Sequence, residues 1–180
     1  MGFEAIDQFE TSKGMFDIGL ARIEHREEML NILQTTAEQM VREGRNQWTP
    51  SIFSPALMDE YLREREVFLL RNRGQSVGMF TLQGSDPSYW AERNDTRFAY
   101  LHRLAILPPY RGLGLGTKMI AFAELRAADQ GKIGLRLDCV SHLEGLNAYY
   151  RGLGYRFIAK QGMGSRYVHL YEKLLTVIPT

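Results

Sequence analysis

The chain has almost no cysteine: Cys139 is the only one in 180 residues, so no internal disulfide can form and a reducing, cytoplasmic setting is expected. It also lacks an excess of either charge. Twenty-two Lys and Arg stand against 21 Asp and Glu, a formal +1, which excludes the broad basic field of a nucleic-acid or anionic-membrane binder. An anionic ligand has to be gripped locally. No apolar run approaches the ~20 residues that a membrane-crossing helix needs, because charges or glycines interrupt each one. The N-terminus lacks the basic-then-apolar order of a secretion signal, and no spacing of His, Cys, Asp and Glu suggests a metal site. Repeats, linkers and low-complexity tracts are absent too. What is present is 44% hydrophobic and 24% charged residues, the balance of an ordinary packed protein. At roughly 150 residues per domain, the 180 residues predict one domain over 1–180.

Hydrophobic periodicity orders the chain. Phe16, Ile18 and Leu20 alternate with less apolar residues, predicting a strand within Phe16 to Glu24. Met29, Leu30, Leu33, Ala37, Met40 and Val41 recur at helical spacing from His25 to Arg42, with Gly44 as the stop. Ser54 is placed to cap a second helix that starts at Pro55 and runs through Tyr61. Glu66 to Asn72 and Val77 to Leu82 form a hairpin across a turn holding Gly74. Gly84 to Phe98 has no period and is expected to be a long functional loop. A β-α-β-α series follows, with strands Ala99 to Leu107 and Ile133 to Val140, and helices Gly114 to Gln130 and Glu144 to Leu153. Tyr155 to Ala159 and Tyr167 to Lys173 close the chain as two strands around the turn-rich Lys160 to Ser165.

The segment Arg111-Gly112-Leu113-Gly114-Leu115-Gly116-Thr117-Lys118 carries the most information. Glycine has no Cβ, so successive N–H groups can close on a phosphate while the following helix adds the positive end of its dipole. The other reading is a tight strand-to-helix turn with no ligand. A P-loop is excluded, because three rather than four residues separate Gly112 from Gly116 and Thr117-Lys118 stand in reverse order. The dinucleotide fingerprint fails at Thr117, where it needs glycine, although Asp138 could imitate its ribose-binding acid.

Arg111 to Gly116 resembles the Arg/Gln-x-x-Gly-x-Gly/Ala signature of the GNAT N-acetyltransferase family, directly after a Leu104-Ala105-Ile106 strand end. Ala148 to Tyr155 resembles the family's aromatic helix end that runs into Gly154-Tyr155. The resemblance implies an α/β (α+β) fold: a mixed, mostly antiparallel central sheet of about six to seven strands flanked by about four helices. It places the cofactor machinery in residues 99–158 or so. It implies that Leu104, Ala105 and Ile106 pair through backbone with the pantetheine arm of acetyl-CoA. Arg111, Gly112, Leu113, Gly114, Leu115, Gly116 and Thr117 would then hold the pyrophosphate. At Leu143 the family commonly has an asparagine that contacts the cofactor; Asn147, one helical turn on and on the same face, is the expected substitute.

The implied chemistry is aminolysis of a thioester by direct attack, with no covalent enzyme intermediate and no metal. Tyr150 holds the position of the family's tyrosine that protonates the departing thiolate; its other reading is a half-buried core residue. His102 is the candidate base, as in the serotonin N-acetyltransferase branch, since an imidazole ordinarily titrates near pH 6.5. The other reading is a hydrogen-bonded structural histidine, with water alone removing the proton as in many relatives. Tyr100, His102 and Leu104 are expected to share one strand face. Cys139 is expected to be packing, Tyr149 structural, and His25, His142 and His169 surface residues. For the acceptor, Trp48, Tyr61, Tyr89, Trp90 and Tyr167 with Glu38, Glu60 and Glu92 suggest an aromatic pocket for a cationic amine. The acceptor is a small-molecule or peptide amine, with a homodimer as the family's common assembly. The competing functions are an acyl-CoA-binding sensor or assembly module without turnover and, third, a dinucleotide enzyme.

Overall fold

A computed structural model describes residues 2–176. Eight strands form one sheet in the order β1-β2-β3-β4-β5-β6-β8-β7, mostly antiparallel, with five helices. The strand count is thus one or two above expectation and the helix count one above. The unexpected strand is β1 (Asp7–Thr11), where only Phe9 is buried. A polar edge strand has no alternating apolar face for a sequence reading to detect. It pairs with β2 (Gly14–Leu20), which buries Phe16 and Ile18 as the alternation predicts.

Helix α1 (Arg26–Arg42) buries Met29, Leu30, Leu33, Ala37 and Met40, while Val41 lies outside the stripe and is exposed. Helix α2 (Pro55–Glu64) begins as the sequence indicates, with Ser54 Oγ accepting from the Leu57 amide at 3.2 Å. Strands β3 (Glu66–Asn72) and β4 (Gln75–Gln83) are joined by Arg73 and Gly74, both at positive φ (50° and 79°), the twist a two-residue hairpin requires. The segment expected as an irregular loop contains a short helix α3 (Pro87–Trp90) capped by Asp86, with Trp90 fully buried. Then come β5 (Phe98–Ile106), α4 (Leu115–Asp129), β6 (Gly134–Val140), α5 (Glu144–Gly152), β7 (Arg156–Met163) and β8 (Arg166–Leu174). Strand β7 runs to Met163, so the closing turn is shorter than expected: Gly164, at φ 63°, lets the chain reverse in two residues.

The chain divides into two compact units, one of residues up to Thr81 with Arg103–Met119, the other of Leu82–His102 with the chain from Ile120 onward. The first is built on Met29, Leu33, Trp48, Phe53, Met58, Tyr61, Leu69, Met79 and Ala105. The second is built on Trp90, Phe98, Tyr100, Val168 and Leu170. Within the second, β5 and β6 pair in parallel at Phe98 with Gly134, Ala99 with Leu135 and Tyr100 with Arg136. No helix among the described residues is long and apolar enough to cross a membrane.

Candidate active site

In the first unit, β5 ends in a single 3-10 turn, Pro108–Tyr110, before the glycine loop. Gly112 and Gly114 take φ of 79° and 74°, a region where a Cβ would be strained, so both glycines are required by the backbone itself. The first helical bond of α4 runs from the Lys118 amide to the Gly114 carbonyl at 3.2 Å, and buried Leu115 and Met119 anchor the helix behind it. Amides of a first helical turn have no carbonyl within the helix to bond, so the N-terminal end of α4 offers donors and a positive dipole. Arg111 is exposed beside this loop; its Nε donates to the Ile106 carbonyl at 3.3 Å, and its Nη1 lies 3.8 Å from the Glu43 carboxylate. Of the strand end, Ala105 is buried and Leu104 and Ile106 are half-buried. Arg103 adopts φ 55° within β5, which interrupts strand alternation. The expected shared face therefore holds for Tyr100 and His102 and cannot be extended by alternation to Leu104.

In the second unit, Tyr150 on α5 is 7% exposed, among the rings of Tyr149, Tyr155 and Tyr171 at 5.5, 6.3 and 6.2 Å. Burial pushes its hydroxyl well above the ordinary phenol range, so it stays a neutral O–H donor. That hydroxyl makes no hydrogen bond to any described residue. Its neighbour Tyr149 is exposed.

Asn147, expected at the cofactor, is engaged inside the protein. Its Nδ2 donates to the carbonyls of Val140 (3.2 Å) and Leu143 (2.8 Å), and its Oδ1 accepts from the Tyr171 hydroxyl (2.6 Å) and lies 2.8 Å from His169 Nδ1. Both donors and both acceptor positions are filled, so the side chain fastens the β6–α5 turn and has nothing left for a ligand. His169 is accordingly half-buried rather than on the surface, and His25 is 4% exposed, its Nδ1 accepting from the Arg22 amide at 2.9 Å. Surface placement holds for His142 alone. Cys139 is buried, and desolvation raises its thiol to about 12, which makes it packing rather than nucleophile.

His102 sits between two carboxylates that the sequence reading did not connect to it. Its Nε2 is 2.7 Å from Asp86 Oδ2, its Nδ1 is 3.4 Å from Asp138 Oδ1, and the Tyr89 ring lies 5.0 Å away. Asp86 is 3% exposed, and its other oxygen accepts from the Tyr89 amide at 3.4 Å. An ionised carboxylate only accepts, so each ring nitrogen has an acid beside it to which an N–H can donate. A protonated ring here lies between two carboxylates. Donor atoms of Asp86, His102 and Asp138 lie within 4.8 Å of one another, a set with metal-ligand chemistry that no sequence spacing reveals. The one signal for Asp86 was the Asp-Pro step at the start of α3.

The aromatic residues expected to receive a cationic amine already face cations of the protein. Arg103 lies over Trp48, Arg65 over Tyr61, Arg136 over Trp90 and Lys160 over Tyr167, at 5.3, 4.4, 4.3 and 4.7 Å. The Tyr89 hydroxyl accepts from Arg166 at 3.2 Å. Glu38, Glu60 and Glu92 are exposed.

The family model described as the acetyltransferase (GNAT) family matches residues 27–155. A Bacillus subtilis (strain 168) protein described as the uncharacterized N-acetyltransferase YesJ is 29% identical over 159 residues, covering 85% of this chain and 87% of its own. Among solved structures, a GNAT-family acetyltransferase from Listeria monocytogenes 4b F2365 superposes with a TM-score of 0.78 at 23% identity, over 94% of this chain and all of that one. RimL, a ribosomal L7/L12 alpha-N-protein acetyltransferase solved with coenzyme A, has a TM-score of 0.71 at 11% identity, over 97% of this chain and all of that one.

Proposed function

Because the chain belongs to the acetyltransferase (GNAT) family, we propose that it carries an acetyl group from acetyl-CoA to a primary amine of a small molecule or a peptide N-terminus, by direct attack in a ternary complex. The single observation that carries this reading is the Tyr150 hydroxyl: held neutral by burial and without a hydrogen bond to any described residue, it is a donor suited to a ligand. A coenzyme-A module without turnover would not need it.

In the reaction the amine nitrogen attacks the thioester carbonyl carbon, the C–N bond forms, and the C–S bond breaks. The acceptor loses a proton and the departing thiolate gains one. Tyr150 is the proton donor to sulfur. His102 takes the amine proton, through water, and the counter-charges of Asp86 and Asp138 stabilise the imidazolium that results. Asp86 is a positioning residue: its contact with Nε2 orients the ring. The backbone of Leu104, Ala105 and Ile106 takes the pantetheine arm. Amides of the Gly112 to Thr117 loop take the pyrophosphate, with Arg111 as the adjacent cation. Backbone binding of this kind needs little net charge, which suits the formal +1.

The test is thiol release from acetyl-CoA across a panel of amines, polyamines, amino acids, aminoglycosides and peptides, with Tyr150→Phe beside the wild type. Release that depends on an acceptor, and falls roughly a hundredfold in the variant, supports the reading. Tight acetyl-CoA binding with no turnover across the panel supports the sensor instead.

A further inference from the structure

We propose that Arg103 is an anion anchor for the acceptor, binding a carboxylate or phosphate group on the molecule whose amine is acetylated. The inference rests on the transferase reading and names the substrate class for it. All of its observations lie within the first unit. Arg103 is half-buried, with its guanidinium carbon 5.3 Å from the Trp48 ring centre and 5.1 Å from that of Phe53. Its Nε donates to the Tyr61 hydroxyl at 2.9 Å, which orients the planar group. Trp48, Phe53 and Tyr61 are themselves 7%, 3% and 2% exposed, so the cradle is built of packed side chains.

Two features set this arginine apart. Among the described residues no carboxylate lies within ion-pair distance of it, and its two terminal nitrogens make no hydrogen bond. Three acids of the first unit have arginine partners of their own: Asp59 pairs with Arg26 at 3.2 Å, Glu43 with Arg45 at 2.9 Å, and Glu64 lies 3.7 Å from Arg63. A guanidinium presents its donors as a planar fork that fits an oxyanion by two parallel bonds, and here neither terminal nitrogen is hydrogen-bonded to a described residue. The second feature is the backbone. Arg103 holds φ at 55°, a conformation costly for a residue with a side chain, in the middle of a strand. Packing alone would be served by an unstrained residue.

Position supplies the link to the acceptor. Arg103 immediately precedes Leu104 to Ile106, the segment assigned to the thioester arm. The aromatic rings that the sequence suggested for a cationic amine therefore hold the protein's own cation, and the complementary charge belongs to the substrate. An acceptor of this class carries both an amine and an oxyanion, as amino acids and amino-phosphates do.

Two measurements test this. The first needs no turnover: the Nε–H resonance of Arg103, assigned by its loss in Arg103→Lys, is followed while sodium acetate, inorganic phosphate or sodium chloride is added at matched ionic strength. A saturable shift with acetate or phosphate and none with chloride is expected, and the anion with the larger response identifies the group. No shift with either oxyanion overturns the anchor. The second compares acceptors differing only in the anion: an amino acid against its amide, and O-phosphoethanolamine against ethanolamine. Wild type should favour one anionic member by roughly ten- to a hundredfold in kcat/KM. Arg103→Met should abolish that preference through KM, and Arg103→Lys should retain part of it, with acetyl-CoA binding and Tm reporting that both variants fold. Equal use of both members of each pair overturns the anchor and leaves the transferase intact. Acetyl-CoA binding without transfer to any amine overturns the transferase reading, and the resonance titration then judges the anchor alone.

Discussion

Asp86→Asn probes the base assignment with the least disturbance, because asparagine has the same size and still accepts from the Tyr89 amide as a helix cap. What it removes is the negative charge 2.7 Å from His102 Nε2, at a residue 3% exposed. A hydrogen bond to a charged group contributes about 1.5–3 kcal/mol. If the contact strengthens as the ring gains its proton, that energy is lost from the transition state, and kcat should fall about ten- to a hundredfold. The assay is acetyl-CoA-dependent thiol release, with thermal unfolding of the same samples. Unchanged kcat would refute His102 as base. Lower activity matched by a lower Tm would assign Asp86 to structure alone.

Asn147→Ala should cost about 2 kcal/mol rather than four full hydrogen bonds, because the Leu143 carbonyl keeps the Asn147 amide and the Tyr171 hydroxyl keeps Arg151. Urea unfolding measures it, and a loss under about 0.5 kcal/mol with a large rise in KM for acetyl-CoA would return Asn147 to the cofactor. His169 is held below its ordinary range by burial first, then by Lys160 and Arg151. Its unfolded form binds a proton more readily, so its contribution to stability is intact above about pH 6.5 and is lost as pH falls below that. Tm should therefore drop less in His169→Gln than in wild type between neutral and mildly acid pH; parallel curves would contradict this. Exhaustive dialysis against EDTA should leave transfer unchanged if Asp86, His102 and Asp138 handle a proton; activity restored by one divalent ion would make them a metal site.

Legibility followed the range of the interactions. Ser54, Pro55 and the buried face of α1 were readable because capping and helical periodicity act over a few residues. Strand β1 was not, because its pairing with β2 supplies what its own pattern lacks. The partners of Asn147 were illegible for a related reason: a motif position says where an amide sits on a helix, while Tyr171 and His169 come from a strand over twenty residues later.

The amino-acid order by itself determined the glycine loop and its flanks. The glycines at 112 and 114 suit the backbone geometry found there, the strand and helix around them follow local pattern, and Tyr150 stands out by its place in a helix-end motif. Only the tertiary structure decided what surrounds the chemistry. It set His102 between Asp86 and Asp138, from three separate elements. It also put Arg103 against Trp48, Phe53 and Tyr61, turning an expected cage for an incoming cation into the seat of a resident one. Charge pairing in a folded chain depends on distance in space, and no spacing along the sequence encodes it.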